Sequence, residues 1–143
     1  MIRALLDVNV LIALIGEQHA DHGRTQTWFF DGPGIQWLSC PITENGVIRI
    51  VANPSYFRTW SMPDVRRSLR LLTAATQHRF VADDVKPLDE MFFHIDRLRS
   101  PKQITDPCLL ALATHHDAAL SPLDARIATE AVRSPGAEVF LVP

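Results

Sequence analysis

Short apolar runs alternate with amphipathic stretches along the whole chain. The apolar runs predict strands at residues 4–6, 35–39, 79–82, 118–121 and 138–142. Apolar positions with helical spacing predict helices at residues 10–15, 19–30, 41–52, 63–77, 88–98 and 105–115, with a last helix beginning at Asp124. Strands that alternate with helices are typical of a parallel sheet. The chain is therefore predicted to be an α/β protein, with a mainly parallel central sheet and helices on both faces.

Length and charge indicate how many domains the chain forms and which partners it can bind. The 143 residues fit a single domain of ordinary size, spanning residues 1–143. Fourteen Lys and Arg against sixteen Asp and Glu give a net charge of −2, which does not indicate a nucleic-acid binder but is compatible with an acidic centre and a local basic rim. Cys40 and Cys108 stand in apolar contexts and are predicted to be buried thiols. No signal peptide or membrane span is recognisable, which predicts a cytoplasmic protein.

Four acidic residues stand at the ends or beginnings of predicted elements. Asp7 ends the first strand, where an ionised carboxylate among apolar residues is unfavourable by several kcal/mol unless it is compensated. Glu44 lies in the first turn of the helix after the second strand, on its apolar face with Val47. Asp106 begins the most apolar helix, and Asp124 follows the fourth strand. Each helix-start acid also has a structural explanation, as an N-cap or as a partner of the helix dipole.

Taken together, these acids favour a metal site. A doubly wound parallel sheet brings strand ends and helix starts to one edge. Carboxylates held close together repel one another, and a hard cation with oxygen ligands, Mg²⁺ or Mn²⁺, relieves that repulsion. The reaction that this arrangement favours is metal-assisted hydrolysis of a phosphodiester.

Four segments that contain these acids resemble the signature segments of PIN-domain ribonucleases, and within these the VapC toxins of bacterial toxin–antitoxin pairs. They read RALLDVNVLI, TENGVIRIVANP, TDPCLLALA and ALSPLD, in this order. The resemblance implies a PIN-like domain whose acidic site consists of Asp7, Glu44, Asp106 and Asp124. Of these, Asp7, Asp106 and Asp124 would bind the metal, and Asn9 would orient a ligand from behind them.

The same resemblance implies the activity and the partners. Members of this family cleave single-stranded regions of RNA, often structured RNA such as tRNA, with Mg²⁺ or Mn²⁺. They are commonly homodimers that a cognate VapB antitoxin inhibits. The fourth segment departs from the family's usual T-x-D pattern, because Ser121 and Pro122 stand ahead of Asp124.

Several other residues have competing interpretations. Arg126 is predicted to contact RNA, because it stands two residues from Asp124. His115 and His116 could suggest a metal site, but helical spacing predicts that they point to different faces at a solvent-exposed helix end. Further basic residues could contact phosphate or be solvated surface charges, and aromatic residues of the 55–61 loop could stack on bases or cover the core. The apolar residues of the 88–98 helix are expected in the core or a dimer interface; these are Met91, Phe92, Ile95 and Leu98.

Two other functions compete with the nuclease hypothesis. A phosphatase of the haloacid-dehalogenase type also begins with a strand-end aspartate, but it needs a second aspartate two residues later, where this chain has Asn9. A non-catalytic module of the same fold could bind RNA or an antitoxin. The presence of all four acids argues against this second rival.

Overall fold

A computed structural model describes residues 1–56, 60–91, 93–124, 132 and 138–143. In this part of the chain, four strands form one parallel sheet in the order β3-β2-β1-β4. They are β1 (Ile2–Leu6), β2 (Ile35–Ser39), β3 (His78–Phe80) and β4 (Ala119–Ser121). The helices are α1 (Val8–Ile15), α2 (His22–Asp31), α3 (Pro41–Val51), α4 (Met62–Ala75) and α5 (Thr105–His115). Short 3-10 turns occupy Ile95–Arg97 and Pro101–Gln103.

Two apolar cores lie on opposite faces of the sheet. Ala4 and Leu6 of β1 pack in a cluster with residues of α1, α2, α3 and α4, whereas Leu5 packs in a second cluster with α5. Successive side chains of a strand point to opposite faces, so a strand that is apolar at every position must be covered on both sides. The predicted α/β fold, with a parallel sheet between helices, is confirmed.

Helix α5 shows why its sequence carries no polar face. Six of its residues are buried, so this helix is packed almost all round; they are Pro107, Leu109, Leu110, Ala111, Leu112 and Ala113. Its charged and polar residues remain at its ends. Because the helix cannot rotate without exposing apolar surface, its first turn is fixed relative to the sheet.

The predicted helix at residues 88–98 is wrong. The described residues of that stretch form turns and one 3-10 turn; Phe92 lies outside the described residues. The Asp89 carboxylate accepts a hydrogen bond of 2.9 Å from the Met91 N–H, a local contact that competes with helical backbone bonding. Phe93 is the buried residue, whereas Met91 and Ile95, predicted for the core or a dimer interface, are 78% and 50% exposed and so lie outside the core.

The C-terminal part is described only in part. The predicted helix after Asp124 lies outside the described residues. The predicted strand at 138–142 appears as a single parallel bridge between Val139 and Leu120, with the Phe140 N–H donating to the Leu120 carbonyl at 2.8 Å. Of the two thiols, Cys40 is buried as predicted and Cys108 is half-buried. The described helices include none that combines the length and apolarity of a membrane span.

Candidate active site

Asp7 stands at the point where the order of the sheet reverses. It follows β1 directly and caps α1, because its Oδ1 accepts a hydrogen bond of 2.8 Å from the Val8 N–H. Its own N–H donates to the Ser121 carbonyl of β4 at 3.1 Å. In the order β3-β2-β1-β4, the reversal falls between β1 and β4, and ligands of open parallel sheets bind in the crevice at such a point.

Four carboxylates surround one pocket at this edge of the sheet. The pocket has a volume of about 740 Å³, and its lining includes Asp7, Asp83, Asp106 and Asp124, together with Asn9. Asp7 and Asp106 are half-buried, whereas Asp83, Asp124 and Asn9 are exposed. The structure thus brings together three of the four predicted acids and the predicted asparagine.

The carboxylates influence one another electrostatically. Burial, and then the negative charge of Asp106, raises the pKa of Asp7 from 3.8 to about 6, although the Val8 amide opposes the shift. Burial and the charge of Asp124 likewise raise the pKa of Asp106. The ionised forms are therefore disfavoured unless a positive charge enters the pocket.

The donor set of the pocket fits a hard divalent cation. All four acidic side chains offer carboxylate oxygens, and Asn9 adds an amide. Mg²⁺ and Mn²⁺ prefer such oxygen ligands to imidazole or thiolate. A cation here would also offset the repulsion that raises the pKa values of Asp7 and Asp106.

Glu44 makes a different contact from the other predicted acids. Although it is half-buried in the first turn of α3, it is not one of the described residues that line the pocket. Its Oε1 accepts a hydrogen bond of 2.6 Å from the hydroxyl of Ser39, at the end of β2. Since that hydroxyl has one hydrogen, the contact of 2.8 Å between Ser39 Oγ and His78 Nε2 requires His78 to donate. Glu44 is thus connected through Ser39 to His78 on β3.

Two pocket residues were missed by the sequence analysis. Asp83 follows the predicted strand at 79–82 as directly as Asp7 follows the first strand, and the same criterion could have selected it. Arg49 lies on the face of α3 that forms one wall of the pocket. Its place in the pocket wall could have been inferred from its spacing from Asn45, since residues four apart share one side of a helix.

Arg126, the predicted RNA contact, lies outside the described residues. Three of the other predicted basic residues occupy exposed positions on α4, where Arg67 pairs with Asp64 at 3.5 Å. Arg49 is therefore the cation that the described residues contribute to the lining of the acidic pocket.

Comparison with known proteins gives consistent matches. Ribonuclease VapC44 of Mycobacterium tuberculosis is 42% identical over 135 residues, which cover 94% of each chain. Ribonuclease VapC38 of the same organism is 37% identical over 140 residues, or 97% of each chain. No protein-family model matches.

A solved structure shows the same fold. The crystal structure of Mycobacterium tuberculosis VapC20, described as a sarcin–ricin loop cleaving toxin, superposes with a TM-score of 0.60. The match covers 92% of this chain and 98% of that one. At 10% identity, it bears on the fold alone.

Proposed function

The chain belongs to the VapC family of PIN-domain ribonucleases, and on this premise we propose that it is a Mg²⁺- or Mn²⁺-dependent endoribonuclease acting at the acidic pocket. The observation that carries the proposal is the convergence of Asp7, Asp83, Asp106 and Asp124 on one pocket. The raised pKa of Asp7 supports it, because a site that disfavours its own charges is suited to a cation. We treat residues 1–143 as one PIN domain.

Asp7, Asp106 and Asp124 are the proposed ligands of the ion. When bound, such an ion lowers the pKa of water and offsets the charge that develops on the scissile phosphate. The Val8 amide fixes the orientation of the Asp7 carboxylate through Oδ1, and the buried packing of α5 holds Asp106 in place. These two side chains therefore keep their positions without reorganisation during the reaction.

Three further side chains have supporting roles in this proposal. Asp83 adds a fourth carboxylate to the pocket, and Asn9 offers an amide that can orient a ligand or the substrate. Glu44 is not among the described residues that line the pocket, and its proposed role is to support the first turn of α3 through the hydrogen bond that it accepts from Ser39. Asp83 and Asn9 are exposed, so an ion and water can reach them.

A path for single-stranded RNA leads away from the pocket along α3. Arg49 and Ile50 line both the acidic pocket and a second groove of about 250 Å³, which reaches Asn53 and Tyr56. Arg49 can contact a backbone phosphate, and the ring of Tyr56 can stack on a base. Arg126, two residues from Asp124 in the sequence, is also proposed to contact RNA.

The proposed partners follow from the family. We propose a cognate VapB-like antitoxin that inhibits the enzyme, a homodimer, and an RNA substrate that could be a tRNA. The negative charge of the pocket also suggests how inhibition works: a basic antitoxin segment could pair with the carboxylates that otherwise hold the ion.

Sequencing of RNA ends after expression tests the proposal. The wild type should generate new, discrete RNA ends, and Asp7→Asn should generate none while remaining folded. Asp31→Asn is the matched control, because Asp31 is an exposed carboxylate at the end of α2. If Asp7→Asn produces the same ends as the wild type, the assigned site is wrong.

A calorimetric titration separates the nuclease from a non-catalytic module. The wild type should bind Mn²⁺, and Asp7→Asn should bind it more weakly. Absence of Mn²⁺ binding in the wild type would favour a module that only binds RNA or antitoxin.

A further inference from the structure

The two adjacent histidines at the end of α5 converge on one carboxylate. The expectation that they point to different faces is wrong, because the helix ends at His115. His116 already leaves helical geometry with ψ 21°, and Asp117 adopts a left-handed φ of 55°. As a result, the two rings meet edge to face with centroids 5.2 Å apart, and both approach Asp84.

The donor atoms have the spacing of a metal-binding cluster. His116 Nε2 lies 2.9 Å from Asp84 Oδ1, and His115 Nε2 lies 3.7 Å from Asp84 Oδ2. One donor atom from each of the three residues fits within a mutual distance of 4.8 Å. In a tetrahedral zinc site, bonds of about 2.0–2.1 Å place the ligand atoms roughly 3.3–3.4 Å apart. The two distances from the imidazoles to the carboxylate bracket this value, and the remaining separation lies within 4.8 Å.

The three side chains belong to two separate segments of the chain and are accessible to solvent. Asp84 follows β3, whereas the histidines end α5. The side chains of Asp84, His115 and His116 are 44%, 45% and 16% exposed, so an ion can enter from solvent and keep a water in its remaining coordination position.

We propose that Asp84, His115 and His116 form a second metal site, which binds a transition metal of the zinc class. Two imidazoles and one carboxylate are the donor set that suits Zn²⁺, whereas the acidic pocket offers only oxygen. The two sites are adjacent through the chain, because Asp83 lines the acidic pocket and Asp84 contacts the histidines. A bound ion would link the segment after β3 to the C-terminal end of α5, and would thereby hold the backbone that carries Asp83.

Titration of the full chain with ZnCl₂ in excess Mg²⁺ tests this site. Mg²⁺ competes for the acidic pocket and leaves the imidazole cluster to Zn²⁺. The wild type and Asp7→Asn should bind one Zn²⁺ with similar affinity, whereas a His115→Ala/His116→Ala variant should bind it at least about tenfold more weakly. His19→Ala is the matched control, since it removes an imidazole that pairs with Asp21 far from α5 in sequence.

Absorption spectra with CoCl₂ identify the donor set. The visible bands of Co²⁺ bound to nitrogen ligands should appear in the wild type and in Asp7→Asn, and should disappear in the double histidine variant. If the double variant does not fold, as judged by circular dichroism, His116→Gln takes its place and should lose the same bands.

Three results would overturn the proposal. The first is Zn²⁺ affinity in a folded histidine variant equal to that of the wild type. The second is Zn²⁺ binding that Asp7→Asn abolishes, because this would assign the ion to the acidic pocket. Absence of any Zn²⁺ binding in the wild type would likewise overturn it, and would reduce the cluster to a hydrogen bond and an ion pair. Since none of these readouts uses RNA cleavage, they do not depend on the nuclease proposal.

Discussion

Replacement of Asp7 by asparagine should stabilise the metal-free protein while it abolishes cleavage. The pKa of Asp7 rises from 3.8 to about 6 on folding, mainly because the carboxylate is buried. For the ionised form, this rise corresponds to about 3 kcal/mol of unfavourable free energy as an upper bound. Asparagine has the same shape, and its Oδ1 can still accept the hydrogen bond from Val8 that caps α1. The substitution thus removes the penalised charge and keeps the cap.

The pH dependence of stability shows whether the buried charge of Asp7 is the cause of this difference. Because the folded-state pKa is raised, folded Asp7 retains its proton at pH values where the unfolded chain has lost it. The free energy of unfolding therefore decreases as the pH rises from about 4 to about 6, and the penalty is complete above that window. In Asp7→Asn this contribution is absent. The stability advantage of the variant should be small at pH 4 and should reach about 1 to 3 kcal/mol at pH 8.

Urea denaturation in EDTA measures the free energy of unfolding of the wild type and of Asp7→Asn, at pH 4 and at pH 8. Asp31→Asn serves as the control for loss of an exposed carboxylate, and it should differ little from the wild type at either pH. Addition of Mn²⁺ at pH 8 should reverse the order, because binding stabilises the wild type in proportion to the logarithm of ion concentration. The electrostatic reasoning is refuted if, in EDTA at pH 8, Asp7→Asn is less stable than the wild type.

Three further substitutions test the pocket wall formed by α3 and the contact of Ser39 with this helix. Arg49→Ala should weaken RNA binding and reduce the slope of log affinity against log salt by about one, whereas Arg66→Ala on α4 should change neither, as measured by fluorescence anisotropy. Gly46→Ala would bring a Cβ within 2.7 Å of a Val8 methyl, and we expect about 1–3 kcal/mol lower stability in thermal denaturation, with lower activity. Ser39→Ala leaves two half-buried partners without their shared hydroxyl and should cost about 0.5–1.5 kcal/mol, whereas an unchanged denaturation midpoint would show that this contact contributes nothing.

The order of the sheet explains why the acidic pocket could be predicted from sequence. Parallel strands end at one edge, so an acid that directly follows an apolar strand lies at that edge without any knowledge of side-chain contacts. Asp7 and Asp124 follow β1 and β4, the two strands that flank the crevice. Asp106 lies at the same edge because it belongs to the first turn of α5. The apolar composition of this helix was sufficient to predict that the helix is buried.

Prediction failed where a local side-chain contact decided the backbone. The apolar spacing at residues 88–98 is that of a helix, but Asp89 binds the Met91 N–H and only Phe93 is buried among the described residues of this stretch. Glu44 illustrates the same limit. Helical spacing correctly predicted that its side chain is partly buried, but its partner, Ser39, comes from the preceding strand, and no period in the sequence encodes that contact.

The pair Asp83 and Asp84 shows what a sequence cannot resolve even when its pattern is understood. Both acids follow β3, and the strand-end criterion fits either one. In the structure, Asp83 lines the pocket with the other carboxylates, and Asp84 turns to His116 at 2.9 Å. Adjacent residues thus enter two environments that differ in donor chemistry, one built from oxygen and one containing imidazole. Because a single backbone segment carries both, we expect loss of the contact between Asp84 and His116 to shift Asp83 and thereby the acidic pocket.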